Sequence, residues 1–213
     1  MIETILFALT SFGVGLSGAL VPGPMLTVTI SDSVKKGFKA GPLIVLGHFL
    51  SELAVIIVIL AGLGWFIGSK SAIFFIGTVG GVALIFMGYN ISKYKNNLSD
   101  IKNGNIKVQK YGSVMGGIIT SLSNPFFYIW WATIGCAFMF KGIELAGIIG
   151  LLGFIIGHWS ADFSWFSIVS FFSSRGTNIM NEKIYKSVMM ICGTFLVLLG
   201  IYFILSQANL FNL

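Results

Sequence analysis

Two hexapeptides, far apart in the sequence, carry the residues of this chain that could do chemistry. Gly47-His48-Phe49-Leu50-Ser51-Glu52 and Gly157-His158-Trp159-Ser160-Ala161-Asp162 share one pattern: glycine, histidine, an aromatic residue, two variable residues and an acid. The chain has 2 histidines, and both occupy the same place in this pattern. At helical spacing each histidine lies one turn from its acid, so each pair projects from one helix face. Such a pair can exchange a proton near neutral pH.

The composition places both hexapeptides in a membrane. Hydrophobic residues make up 56% of the 213 residues, charged residues only 9%, and the mean hydropathy is +0.93. A soluble chain carries about 25% charged residues, so we predict an all-α polytopic membrane protein with one compact bundle. A charged group at the bilayer centre costs about 2.5 to 3.5 kcal/mol on insertion scales, which favours a functional role for the pairs.

Apolar stretches long enough to cross the bilayer predict six transmembrane helices. They cover residues 4–31, 41–64, 70–92, 112–140, 143–172 and 187–207. The acidic start, Met1-Ile2-Glu3, leads directly into the first stretch, which we interpret as a retained span rather than a signal peptide. Cys136 and Cys192 lie singly in apolar stretches, so we expect buried thiols and no disulfide.

The basic residues predict the topology. Of the 13 Lys and Arg residues, all but Lys70 and Lys141 follow the first, third and fifth spans. By the positive-inside rule the loops 32–41, 93–111 and 173–186 are cytoplasmic and both termini are outside, in a cell (plasma) membrane. The net charge of +6 is therefore a topology signal and does not indicate nucleic-acid binding.

The hydrophilic linker 93–111 divides a single transmembrane domain, 1–213, into repeats of three spans, 1–92 and 112–213. An odd number of spans per repeat makes the two repeats antiparallel. This 3+3 inverted-topology repeat is a common transporter architecture, in which the substrate site lies near the midplane between the repeats.

Prolines interrupt equivalent spans of the two repeats, at Gly18–Pro24 in span one and Ser121–Pro125 in span four. Each proline removes a backbone donor and breaks the helix, so that the second half-helix begins inside the membrane with free amides. Those amides form a favourable binding site for a substrate carboxylate. The candidate substrate-binding residues are Pro22, Gly23, Pro24, Ser123, Asn124 and Pro125, with Glu52 and Asp162 for a substrate ammonium.

The candidate proton-coupling residues are His48, Glu52, His158 and Asp162. Several alternatives stay open. The prolines could be simple kinks, the acids could bind the substrate or a proton, or each pair could only hold the repeats together. The histidines could act directly or could only orient the acids. A fixed metal site is disfavoured because no cysteine joins the pairs, and no cofactor is expected.

An enzyme and a thiol electron carrier are the main alternatives to a transporter. Gly15-Leu16-Ser17-Gly18 matches the G-x-S-G of rhomboid-like intramembrane serine proteases, for which His48 or His158 would be the base. The match is short and lies in a glycine-rich span, so we expect no catalytic activity. Cysteines are absent from the proline breaks, which disfavours the electron carrier. No phosphate-binding loop is present, which disfavours ATP-driven transport.

The chain resembles the LysE/RhtB type of amino-acid exporters over essentially its whole length. The resemblance depends on the Gly18–Pro24 segment leading to Leu26, the turn Lys35-Lys36-Gly37-Phe38-Lys39-Ala40-Gly41, Gly47, and Asn124-Pro125. It implies about six spans and export of amino acids or similar small metabolites in exchange for protons. The identity of the solute, including one that is not an amino acid, stays open. So does a homo-oligomer, because small-residue faces can pack within or between chains.

Overall fold

The computed structural model describes residues 2–21, 23–64, 69–93, 112–176 and 179–208, and this part of the chain is helical with no strand. The helices are α1 (Ile2–Ala19), α2 (Pro24–Lys36), α3 (Ala40–Val58), α4 (Lys70–Ser92), α5 (Ser113–Leu122), α6 (Pro125–Trp130), α7 (Cys136–Gly176) and α8 (Glu182–Ala208). A π-helical turn, Ile59–Leu63, follows α3, and a second, Trp131–Gly135, joins α6 to α7. The predicted all-α class is confirmed for these residues.

Among the described residues, 5 helical segments are long and apolar enough to cross a membrane: Ile2–Ala19, Ala40–Leu63, Lys70–Ser92, Pro125–Gly176 and Glu182–Ser206. The 52 residues of Pro125–Gly176 would extend about 78 Å as a straight helix, far more than one bilayer crossing. The helix is interrupted at Ala146 (φ −154°) and at Gly147 (φ 55°), a left-handed conformation that favours glycine. Beyond this point the backbone of Gly150 packs directly on that of Gly142, so the segment folds back as a helical hairpin.

The two predicted proline breaks are confirmed. Helix α1 ends at Ala19, and α2 begins at Pro24 after an extended Gly23 (φ −152°, ψ −174°). Helix α5 ends at Leu122, and α6 begins at Pro125. Proline suits the first position of a helix because its missing N–H would have no intrahelical partner there. Pro24 and Pro125 are therefore the first residues of the helices that follow the two breaks.

The predicted loops 32–41 and 173–186 are too long. Helix α2 continues to Lys36 and α3 begins at Ala40, so residues 37–39 alone connect them. The end of α2 is packed: Asp32 and Lys35 are buried, and Ser33 Oγ lies 2.7 Å from Ser170 Oγ of α7. Counting lysines predicts the side of a loop but not the residue at which a helix ends.

The loop at 173–186 is shortened in the same way, because α7 continues to Gly176 and α8 begins at Glu182. Of the predicted linker 93–111, residues 94–111 lie outside the described part of the chain.

Three pairs of helices make up the bundle: α1 with α7, α3 with α5, and α4 with α8. Glycines set the distance in each pair, because a side chain there would meet the backbone of the partner helix. Gly157 packs on the carbonyl oxygen of Ala8, and Gly47 on that of Val114. A Cβ at Gly88 would lie 2.5 Å from the Gly193 carbonyl oxygen.

Candidate functional site

Helices α3 and α7 bring the two hexapeptides together. His158 Nε2 lies 2.8 Å from Glu52 Oε1, which makes a hydrogen bond between the two hexapeptides. The predicted one-turn pairs are also in contact, at 3.3 Å from His48 Nε2 to Glu52 Oε1 and 3.4 Å from His158 Nε2 to Asp162 Oδ2. His48 Nε2 and Asp162 Oδ2 are 3.8 Å apart. These four side chains are the His/acid cluster.

The His/acid cluster is nearly removed from solvent. The exposed fractions are 1% for Glu52, 3% for Asp162 and 5% for His158. Glu52 Oε2 and His158 Nδ1 are buried without a hydrogen-bond partner in the described part of the chain. Buried polar atoms normally have partners, because leaving them unpaired costs free energy. The cluster therefore retains capacity to bind a further donor and a further proton.

The aromatic residues of the two hexapeptides contact each other as well. The rings of Phe49 and Trp159 stack with centroids 4.5 Å apart and planes 12° from parallel. Histidines, acids and aromatic residues at matching positions thus all lie at one interface between α3 and α7. The two glycines instead face other helices, Gly47 toward α5 and Gly157 toward α1.

Ser121 of α5 forms a hydrogen bond with Nδ1 of His48, the ring nitrogen that does not contact the acids. The Ser121 hydroxyl donates to the Gly117 carbonyl oxygen at 2.7 Å, and its oxygen lies 2.7 Å from His48 Nδ1. A hydroxyl has one proton and a carbonyl can only accept. Nδ1 of His48 is therefore the donor in its bond to Ser121, and Nε2 is the nitrogen that faces the acids.

Aromatic rings, rather than a hydroxyl, surround His158. Trp130 stacks on it at 4.6 Å and 18°, and Phe154 lies near-parallel at 5.8 Å. Trp131 presents an edge at 5.7 Å. Nδ1 of His158 faces α1 at Gly15, where an added Cβ would come within 2.6 Å of it. Packing therefore fixes this ring.

A cavity of about 450 Å³ opens beside the cluster, where the two helix breaks meet. Most of the predicted site residues line it: Gly23, Pro24, His48, Glu52, Asn124, His158 and Asp162. Ser123 and Pro125 do not line it: both are buried, and the Ser123 backbone packs on Gly80 of α4. Pro22 lies outside the described residues.

Residues that the sequence reasoning missed also line the cavity. Ser121 borders it, as do Phe127, Trp130 and Trp131, which follow the second break. Phe127 and Trp130 are three residues apart, a spacing that puts them on one face of α6. That spacing was visible in the sequence, but in so apolar a chain it is also the pattern of a lipid-facing helix.

The amides at the two breaks are not equally free. The Asn124 side chain accepts a hydrogen bond from the Phe126 amide at 3.1 Å, so α6 is capped by its own residue. Helix α2 has no side-chain cap at Gly23. Of the two half-helices, α2 is the one that presents an uncapped end to the cavity.

The serine-protease alternative gains no support from this geometry, whereas the metal alternative stays open. The Ser17 hydroxyl donates to the Val14 carbonyl oxygen at 2.7 Å, and Ser17 does not line the cavity that holds the histidines. Ligand atoms of His48, Glu52 and Asp162 lie within 4.8 Å of one another, close enough for a shared ion. Glu52 Oε1 also accepts the hydrogen bond from His158 at 2.8 Å.

The fold and the cavity agree with what the chain matches among known proteins. The family described as LysE type translocator matches residues 16–207, so the chain belongs to that family. It is a multi-pass membrane protein of a transporter family, which implies a small-molecule substrate. The predicted resemblance is thereby confirmed.

The chain is similar to the protein YcgF of Bacillus subtilis (strain 168). The two are 24% identical over 189 residues, which cover 89% of this chain and 90% of YcgF. No solved structure matches the chain.

Proposed function

We propose that this protein is a secondary active transporter that exports amino acids or similar small metabolites across the plasma membrane in exchange for protons. Family membership supports export, and the relative's printed name, "Putative amino acid efflux protein YcgF", supports the class of solute. The observation that carries the proposal is the 2.8 Å hydrogen bond between His158 and Glu52, which joins the two hexapeptides at the wall of the cavity.

The architecture of the proposal is six spans in a 3+3 inverted repeat, 1–92 and 112–213. In it, the broken helix α1–α2 corresponds to α5–α6, α3 to the second half of α7, and α4 to α8. The helix pairing supports this correspondence, because exchanging the repeats converts the α1–α7 pair into the α5–α3 pair and leaves the α4–α8 pair unchanged. The loops that carry most of the lysines are cytoplasmic and both termini are outside.

The substrate lies in the cavity between the two breaks. Its carboxylate points to the uncapped start of α2, where free amides and the helix dipole favour a negative charge. Its ammonium approaches Glu52 and Asp162. Because the His158–Glu52 hydrogen bond joins the repeats, a proton or an ammonium that occupies Glu52 changes how firmly the repeats hold together. Alternating access is a rocking of one repeat against the other around this site.

Efflux from proteoliposomes tests the proposal. Vesicles loaded with mixed amino acids should lose one class selectively, and faster under an imposed pH gradient. Glu52→Gln and Asp162→Asn should abolish the gradient dependence while the protein still inserts and elutes as a folded species. Glu144→Gln is the matched control, because the Glu144 side chain is 71% exposed and pairs with Lys141 at 2.9 Å.

Two outcomes would contradict different parts of the proposal. Wild-type gradient dependence in both cluster variants would overturn the proton-coupling role. No loss of any amino acid would overturn the class of solute.

A further inference from the structure

The cavity has an acidic end and an aromatic wall. Six aromatic residues line it: Phe126, Phe127, Trp130, Trp131, Phe166 and Phe203. No lysine or arginine is among the described residues that line it. Ligand atoms of Glu52, Asp162 and His48 lie within 4.8 Å of one another, so the two acids share one place beside the cavity rather than two separate ones.

The aromatic wall begins directly at the acidic end. On α6, Phe127 presents its ring to His48 at 5.7 Å, and Trp130 stacks on His158 at 4.6 Å. Trp130 also extends to the first helix break, where its Nε1 atom would lie 3.5 Å from a Cβ added at Gly18. Its indole therefore extends from His158, beside the acids, to Gly18 at the first helix break.

The backbone is built to accommodate these rings. A Cβ at Gly135 would lie 2.6 Å from the Trp131 ring and 3.0 Å from the Trp130 ring, so any larger residue would push both indoles away. Gly135 ends the π-helical turn that follows α6. The turn and the glycine together hold the two tryptophans against His158.

We infer that the solute of this site is an amino acid with one ammonium group and a large apolar or aromatic side chain. The inference rests on the proposed function and names its substrate class. The ammonium binds at the acids. The side chain lies along the aromatic wall and gains the free energy of apolar burial and ring contact.

A second charge on the solute is disfavoured by the same surfaces. With the α-ammonium at the acids, the side-chain ammonium of a basic amino acid would lie among the aromatic rings without a carboxylate partner. The second carboxylate of an acidic amino acid would find no lysine or arginine on the described wall. Either charge would lose its hydration without compensation.

The first test is competition among solutes. Proteoliposomes that hold the wild-type protein are loaded with equal concentrations of labelled phenylalanine, leucine, lysine and glutamate. We expect phenylalanine and leucine to leave at least tenfold faster than lysine and glutamate. Faster efflux of lysine or glutamate would overturn the inference and leave the proposed function standing. Efflux of none of the four would overturn the inference as well, and loss of no amino acid from vesicles loaded with the full mixture would overturn the proposed class of solute.

The second test changes the wall. Trp130→Leu keeps an apolar side chain but removes the indole face, and Trp130→Phe keeps an aromatic face. We expect Trp130→Leu to raise the KM for phenylalanine about tenfold with little change in maximal rate, and Trp130→Phe to retain most of the affinity. Phe86→Ala is the control, because Phe86 lies on α4, is 57% exposed and does not line the cavity. An unchanged KM in Trp130→Leu would overturn the inference.

Discussion

The two hexapeptides share a pattern and an interface, but they differ in what contacts Nδ1 of each histidine, the ring nitrogen that points away from the acids. Nδ1 of His48 donates to Ser121 of α5 at 2.7 Å. Nδ1 of His158 is buried without a hydrogen-bond partner in the described residues, and it faces Gly15 of α1, which has no side chain to offer. The repeated residues therefore specify the surface that the hexapeptides share. The helices packed behind them specify what each histidine can do.

The difference affects where protons lie in the cluster. Nδ1 of His48 keeps its proton and donates it in a hydrogen bond to Ser121. The 3.3 Å approach of His48 Nε2 to Glu52 is therefore attractive only when Nε2 or the Glu52 carboxyl group carries a further proton. His158 can donate its Nε2 proton to Glu52 at 2.8 Å and leave Nδ1 bare. We therefore expect Ser121 to set the tautomer of His48 and Glu52 to set that of His158, with Nδ1 of His158 left open to a further proton.

The largest loss of stability is expected at the glycine that begins each hexapeptide, a position that the two have in common. Gly47→Ala and Gly157→Ala each place a methyl group against a backbone carbonyl, of Val114 and of Ala8 respectively. Since backbone cannot move aside as a side chain does, each change should lower the free energy of unfolding by about 3 kcal/mol, the upper part of the usual overpacking range. Unfolding in mixed micelles of rising SDS content measures this.

Gly153→Ala is the control for the glycine variants. Gly153 lies on α7 one turn before Gly157, and the nearest atom to its added Cβ is Thr4 Cγ2 at 3.6 Å, an ordinary contact. It should be neutral or slightly stabilising, because alanine favours helix. A loss in only one of the two hexapeptide variants would show that the glycines are not equivalent.

A smaller loss of stability is expected at Ser121, the hydrogen-bond partner that His48 has and His158 lacks among the described residues. Ser121→Ala leaves the Nδ1–H of His48 without its acceptor, which should cost about 2 kcal/mol. It should also shift the ¹⁵N resonance of His48 Nδ1 in histidine-labelled protein in bilayers, with His158 unaffected. A His158→Asn variant assigns the two signals.

Two variants separate the His48 contact from the loss of a hydroxyl. Ser121→Thr keeps the hydroxyl and should retain the wild-type resonance. Ser51→Ala removes a buried hydroxyl that donates to the Gly47 carbonyl oxygen of its own helix at 3.2 Å, and it should leave both histidine signals in place. An unchanged His48 signal in Ser121→Ala would contradict the asymmetry.

Much of the fold could be predicted because its causes are local. Proline is favoured at the first position of a helix, so the starts of α2 and α6 could be read from Pro24 and Pro125. A spacing of four residues fixes the contact of each histidine with its acid, whatever surrounds them. That the two pairs meet in one cluster was not predicted, because neither segment alone shows how far apart α3 and α7 lie.

The remaining contacts depend on packing between distant segments. His48 and Ser121 meet because Gly117 lets α5 pack on the Ile44 carbonyl of α3, and nothing in either segment alone indicates this. The aromatic wall was missed for another reason. In a chain that is 56% hydrophobic, rings that line a cavity and rings that face lipid have the same residue types.

The smallest change in the free energy of unfolding is expected at the aromatic pair between the hexapeptides. This pair tests whether the aromatic positions contribute to the shared interface as the histidines and acids do. Phe49 and Trp159 stack at 4.5 Å, so a double-mutant cycle with Phe49→Leu and Trp159→Leu should give a coupling of about 1 kcal/mol in the free energy of unfolding. A cycle of Trp159→Leu with Phe86→Leu should be additive, since Phe86 lies on α4. Zero coupling in the first cycle would mean that the aromatic residues only fill space, and that the shared interface comes from the histidines and acids alone. A coupling of the expected size would make the aromatic position a third contact that holds the two hexapeptides in register.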